Sequence, residues 1–469
     1  MLEQKKKTRR GSWIFGAMLG LTLGVSLRSY AQTQSVASQE QNASGHAAST
    51  GPRNPSATAL GDIFFQSRNF FIFSVTASET YYDNVINSER GNRPHDTSTN
   101  ISPRIAYRRE YPRTTISLDY ALGSRIYNRS HSYNQITHFG GLELEHLLTT
   151  RLKFSVGDRA SVLPDSGRFF GTDLILNPRP SDIFPNNSLI LRLNKTIFNT
   201  TYADLSYDLS RKSQISFSAH YTINRFNQSN LREMNRSGGS TAYSYRIAEK
   251  TTLNLGYRFF YLEVKDPQAS PVESLLISPA HIVRSHNPYI GISQQLKPSI
   301  LAFINVGPNV TIGDSINLGT QLRSRPGVHP SINGGILFSK ALSLDPRTFF
   351  SLDLKQNVTD GFGLGATAVV QSASASLGRR FTKKITGAIT GGYTRNEFLL
   401  DFDLTGRTIK TNGINAGPYL RVNLTERLNF HAEYRHYRQR STGFFDVIPG
   451  NIIGNAFTVG VSYNIPVFF

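Results

Sequence analysis

Charged side chains in this 469-residue chain recur at every second position of long alternating segments, and that spacing limits the chemistry open to it. Residues two apart on an extended segment share one face. Arg104, Arg108, Asp119, Arg125, Arg129, Glu143, Glu145, Lys153, Arg159, Asp204, Asp208, Arg246, Arg258, Asp353, Lys355, Arg379, Arg421, Glu433 and Arg435 fall on the more polar face of such segments. Twelve of these are basic and seven acidic, an excess of five positive charges. Lining a water-filled passage, they would favour anionic solutes. Paired with one another, they would instead stiffen a wall. Both readings stand on the same residues.

Hydrolytic or redox chemistry finds less support. No G-x-S-x-G, H-E-x-x-H, phosphate-loop or dinucleotide fingerprint occurs in a matching context. His431, Glu433 and Arg435 share a face, and His138 and His436 stand apart. Alternation on a wall produces such groupings without function. The eleven His are scattered without the paired spacing a metal needs. Zero Cys removes disulfides, thiolate nucleophiles and Cys-based zinc sites together. The expectation is a chain that is no enzyme and carries no cofactor and no metal.

The elements that must hold these charges are strands. In 215–223, Ile215, Phe217, Ala219, Tyr221 and Ile223 form one face, with Ser216, Ser218, His220 and Thr222 on the other. Outside the N-terminus no stretch of ~18 apolar residues occurs, which excludes a helical multi-span protein. With 39% hydrophobic and 18% charged residues, 21 Tyr and 30 Phe, the chain is not a disordered one either. Alternating runs of ten or more residues suit a tilted crossing of a ~25 Å apolar band, whereas globular strands hold about five or six. The connections fall into two classes. Short turns lie near 110–112, 149–150, 210–212, 248–250, 296–298, 344–346, 382–384 and 425–427. Longer loops lie between them. That asymmetry predicts an all-β, antiparallel, up-and-down transmembrane barrel of about 18 strands (16–18), with short periplasmic turns and long outer loops. Tyr81, Tyr107, Tyr207, Tyr245, Tyr257, Tyr261, Tyr393, Tyr434 and Tyr463 suit interfacial aromatic girdles as well as plain strand propensity. Loop 163–196, with Pro164, Pro178, Pro180 and Pro185, is a candidate constriction or a surface loop.

The ends give location. Lys5 to Arg10, an apolar run from Trp13 to Leu27 and Ser29-Tyr30-Ala31 read as a secretory signal cleaved after Ala31. Residues 32–68 read as a disordered leader, and 69–469 as the barrel. A basic, exported, cysteine-free chain does not suggest a nucleic-acid binder. Tyr463, Ile465, Val467 and the terminal Phe469 alternate on one face. They resemble the C-terminal signal that the barrel-assembly machinery recognises, in an outer membrane of lipid and lipopolysaccharide.

Tyr81-Tyr82-Asp83-Asn84-Val85, then Ser102-Pro103-Arg104-Ile105, then a strand with Tyr120 and Tyr127 resemble the β-barrel porin family of bacterial outer-membrane proteins. The resemblance implies a porin-like barrel of the kind often associated with exopolysaccharide export, and supplies no functional residues. The functions expected are a channel for polar or anionic solutes or for exopolysaccharide, with polysaccharide-export components as partners, or else a non-conducting anchor, adhesin or envelope scaffold.

Overall fold

The computed structural model describes residues 69–85, 94–163, 196–226, 233–265, 281–297, 300–313, 323–324, 327–339, 348–360, 367–401, 410–442 and 450–467. Ala31, the leader, most of loop 163–196 and Phe469 lie outside the described residues. Eighteen strands make one sheet. They are β1 (Phe70–Tyr82), β2 (Asp96–Glu110), β3 (Thr114–Tyr127), β4 (Gln135–Leu147), β5 (Leu152–Leu163), β6 (Thr196–Asp208), β7 (Ser213–Phe226), β8 (Met234–Ala248) and β9 (Thr251–Val264). The second half comprises β10 (His281–Lys297), β11 (Ile300–Gly313), β12 (Gly327–Ser339), β13 (Thr348–Asp360), β14 (Thr367–Arg380), β15 (Ile385–Phe398), β16 (Lys410–Asn423), β17 (Leu428–Thr442) and β18 (Asn451–Val467).

Each strand pairs antiparallel with its sequence neighbours, and β1 also pairs with β18, so the sheet has no edge. Followed strand to strand once round the sheet, the register returns to β1 about 22 residues further along. With roughly 3.3 Å per residue and roughly 4.8 Å between strands, that stagger sets a tilt of about 40° and a width of roughly 35 Å between facing backbones. Pro103, Pro288 and Pro418 each coincide with a local gap in the ladder, as a ring without an N–H requires.

Alternation sorts the residues onto two faces. The outward face carries large exposed apolar side chains such as Ile101 (47% exposed), Leu142 (48%) and Ile389 (61%), which only a lipid surround accommodates over so wide an area. All nine tyrosines expected in girdles lie on this face. Three of them tie laterally to a neighbouring strand: the Tyr257 hydroxyl bonds His286 Nδ1 at 2.6 Å, and the Tyr393 and Tyr434 hydroxyls donate to Asn412 Oδ1 and Asn455 Oδ1 at 3.3 and 2.6 Å; the outward Tyr120 likewise bonds His138 Nδ1 at 3.0 Å. Tyr463 and Ile465 are exposed outward, and Val467 ends β18 on the same register parity.

Short connections and the described chain ends share one rim. Four of the turns are built alike. Thr149, Ser210, Thr382 and Thr425 each turn a side-chain oxygen back to accept the N–H groups two and three residues on, at 3.0 to 3.2 Å, which satisfies donors the ladder leaves over.

At the opposite rim the seam between first and last strands is clamped by the segment Asp83-Asn84. Asp83 accepts both the backbone N–H of Asn455 and its Nδ2, each at 2.5 Å. Asn84 Nδ2 donates to the Ile453 carbonyl at 3.1 Å, and the Asn84 carbonyl accepts from the Tyr437 hydroxyl at 3.2 Å. Val85 and Tyr82 bury against Tyr127. Lower on the seam, the hydroxyls of Thr76 and Ser462 and of Thr80 and Thr458 pair at 2.9 and 3.0 Å. Hydrogen bonds to a charged acceptor contribute roughly 1.5–3 kcal/mol each. Asp83→Ala is therefore expected to lower the unfolding free energy of the reconstituted barrel by about 2–4 kcal/mol, with Asp83→Asn retaining part of it, in a urea titration of the heat-modifiable band; an unchanged midpoint for Asp83→Ala would remove the clamp.

Candidate functional site: the charged lumen wall

The inward face is the one opposite the exposed Leu, Ile and Tyr. Cross-strand register places Arg104, Arg108, Asp119, Arg125, Glu143, Glu145, Lys153, Arg159, Asp204, Asp208, Arg246, Arg258, Asp353, Lys355, Arg421, Glu433 and Arg435 on it. Two expectations need correction. Arg379 shares the outward face of Leu377, because in β14 the inward positions are Ser372, Ser374 and Ser376 and the outward ones Ala373 and Ala375; with Ser against Ala, the contrast is too small to fix the face from sequence. Arg129 lies beyond β3 in the connection to β4, where its backbone N–H bonds Asp96 and its guanidinium reaches His95 Nε2 at 2.7 Å. Arg236 and Arg380 take their places on the inward face, and Asp96 and Glu110 join it. The basic total stays at twelve while the acidic total rises from seven to nine, so the excess among the described residues is three.

Much of this charge is paired along the wall. Arg104 forks onto Asp119, with Nε at 3.0 Å from Oδ2. Arg108 meets Glu110 at 2.7 Å, Lys153 meets Glu145 at 3.0 Å, Arg435 meets Glu433, and Arg159 lies 3.9 Å from Glu143. Asp204 accepts from Ser155 at 3.4 Å and Asp208 from Gln214 at 2.9 Å. Arg421 is different: it is buried and donates Nε to Asn429 and Asn423 at 3.0 and 3.2 Å, with no carboxylate partner among the described residues. Its cross-strand neighbour is His431, whose ring lies over Gly460.

Aromatic rings brace three of the arginines, and two of those rings, both tyrosines, are seated against glycines, while the space over Gly238 is taken by His220. Tyr202 pairs across the ladder with Gly157, Tyr289 with Gly256 and Phe260 with Gly238. A Cβ on Gly157 would meet the Tyr202 ring at 2.5 Å, and one on Gly256 the Tyr289 ring at 2.3 Å, so each tyrosine lies flat in a notch that only glycine leaves open. The guanidinium two residues toward the long-loop rim then stacks on the ring: Arg159 over Tyr202 at 5.5 Å, Arg258 over Tyr289 at 4.2 Å, Arg236 over Phe260 at 4.6 Å. With a ring against its face, a guanidinium presents its N–H edge to the lumen. Nothing in the linear sequence marks these units, because register brings ring and glycine together.

Part of the wall is open to water at mid-strand. Asp353 and Lys355 on β13, Ser374 on β14 and Thr390 on β15 all point inward and are exposed. Among the described residues no group of three or more His, Asp or Glu is placed to hold a metal ion.

Closed ladder, apolar outer face and polar lumen define an eighteen-stranded transmembrane β-barrel, a fold class that belongs to bacterial outer membranes. No known protein family matches the chain, and no characterised relative matches it in sequence. Solved structures of similar shape include OccK2 (OpdF) of Pseudomonas aeruginosa in complex with glucuronate, 13% identical with a TM-score of 0.41 over 85% of this chain and 98% of that one. OpdK of the same organism with vanillate is 12% identical, with a TM-score of 0.39 over 85% and 99%. The FrpB iron transporter of Neisseria meningitidis is 8% identical, with a TM-score of 0.43 over 87% and 83%. At such values the strand count rests on this chain's own ladder.

The notch makes a specific energetic prediction. Gly256→Ala forces Tyr289 off the wall and, as overpacking does, costs about 1–3 kcal/mol; in a Tyr289→Leu background the same change is expected to be nearly neutral. A urea double-mutant cycle measures that coupling, and additive effects would show that the ring and glycine do not act together.

Proposed function

We propose that the chain is an outer-membrane channel for passive diffusion of small polar solutes, with a preference for anions. The observation that carries this reading is the water-exposed set of inward side chains at mid-strand, Asp353, Lys355, Ser374 and Thr390. An eighteen-strand barrel is wide enough for an aqueous passage. The anion preference is supported by what remains after pairing: Arg258 and Arg421 have no carboxylate partner among the described residues, and the ring-stacked arginines offer fixed N–H edges. A sugar-polymer conduit draws on the family resemblance alone, and no feature of the lumen favours it over small solutes. On this reading the barrel sits among lipid and lipopolysaccharide, delivered by the barrel-assembly machinery through Tyr463, Ile465, Val467 and Phe469.

Single-channel recording in a planar bilayer tests it. The wild type is expected to give stable steps and, in a KCl gradient, a reversal potential of the sign for chloride over potassium. Arg258→Gln and Arg421→Gln are each expected to move that potential toward zero while steps persist. Silence from protein that shows heat-modifiable migration would instead make the barrel an anchor, adhesin or scaffold, and a cation preference would refute the role given to the arginines.

A further inference from the structure

We propose that the short-turn rim is a ring of contacts for the headgroups of anionic phospholipids in the leaflet it meets. The four alike turns share more than their hydroxyl. Each begins with a large apolar side chain left exposed on the rim: Leu148 (48%), Leu209 (46%), Phe381 (62%) and Leu424 (49%). Three residues on stands a basic one, Arg151, Lys212, Lys384 or Arg427, also exposed. Its backbone N–H is the group that the turn's Ser or Thr oxygen accepts, at 3.2, 3.1, 3.1 and 3.2 Å respectively. The hydroxyl thus fixes where the cation leaves the chain relative to the apolar residue. Tyr111 with Arg113 and Ile247 with Lys250 repeat the pairing in turns of different construction.

Lipid is the occupant this arrangement fits. Six exposed apolar residues would be costly against water or a soluble polyanion, but at the hydrocarbon boundary they are at home. A basic residue fixed beside each then lies at phosphate depth, where cations close to a bilayer attract anionic lipid. In the four alike turns six basic residues face one acid, Glu426, so little of this charge is neutralised locally.

The test uses the full chain reconstituted in vesicles of phosphatidylcholine with a minority of phosphatidylglycerol, and spin-labelled lipids to report which is held at the protein surface. The wild type is expected to select phosphatidylglycerol several-fold at low salt, with the preference fading as salt rises. The quadruple substitution Arg151→Gln, Lys212→Gln, Lys384→Gln, Arg427→Gln is expected to cut that selection by at least half, whereas Arg438→Gln with Arg440→Gln, toward the opposite rim, leaves it. A wild type without preference, a preference indifferent to salt, or one left undiminished by the quadruple change overturns the proposal. The salt series needs no variant and decides the matter if the quadruple protein does not fold.

Discussion

An unpaired backbone N–H or C=O in hydrocarbon costs several kcal/mol, and the rest of this structure depends on avoiding that cost. A row of such groups along β1 and another along β18 would make an open sheet untenable, so the ladder must close. The closing pair runs from Phe71–Val467 to Tyr82–Ala456 without interruption. Side chains reinforce it, with hydroxyl pairs on the lumen side along the ladder and the Asp83-Asn84 clamp beyond its end at the far rim. The segment Asp83-Asn84 is thus, physically, the latch of the barrel.

Closure with a fixed stagger determines what the lumen can be. Alternate residues of every strand face inward, twelve basic and nine acidic groups among them. Glycines opposite Tyr202 and Tyr289 let each of these rings lie flat against the wall. Glycine in a strand interior costs conformational entropy and a packing partner, yet here each vacancy is filled by the neighbour's ring, and the ring in turn orients an arginine. Bracing and charge placement follow from one local exchange.

How much of this could be read from sequence depended on contrast between the two faces. In β3, Ile116, Leu118, Tyr120 and Leu122 against Ser117, Asp119 and Arg125 leave no doubt of parity, and Arg104, Asp119 and Glu143 fall where alternation places them. Strand number was legible for a related reason: apolar bands of repeated length must be separated by turns, and turns of two kinds order them. β14 offered only Ser against Ala around its centre, and Arg379 slid to the wrong face. The ring and glycine units were beyond reach, since Tyr202 and Gly157 are separated by 44 intervening residues and meet only through register. Alternation tells which face a residue takes; it does not tell which residue it will oppose.

The outer face also shows how firmly that constraint holds, because it is locally broken. Asp158 lies mid-strand on β5 between Gly157 and Arg159, both turned to the lumen, and so points outward with Asn199 and Thr201 of β6. A carboxylate facing lipid is unfavourable, though less so than a lysine or arginine at the same depth. Its two oxygens accept from Asn199 Nδ2 at 3.0 Å and from the Thr201 hydroxyl at 2.6 Å. At roughly 1.5–3 kcal/mol for each bond to a charged group, the pair is of the size needed to offset the exposure. The exception therefore comes with its own local solvation, supplied by the adjacent strand. Where Gly157 and Arg159 are held inward by Tyr202 and Glu143, the strand has no freedom to turn Asp158 away, and the neighbouring polar residues are what make that position tenable.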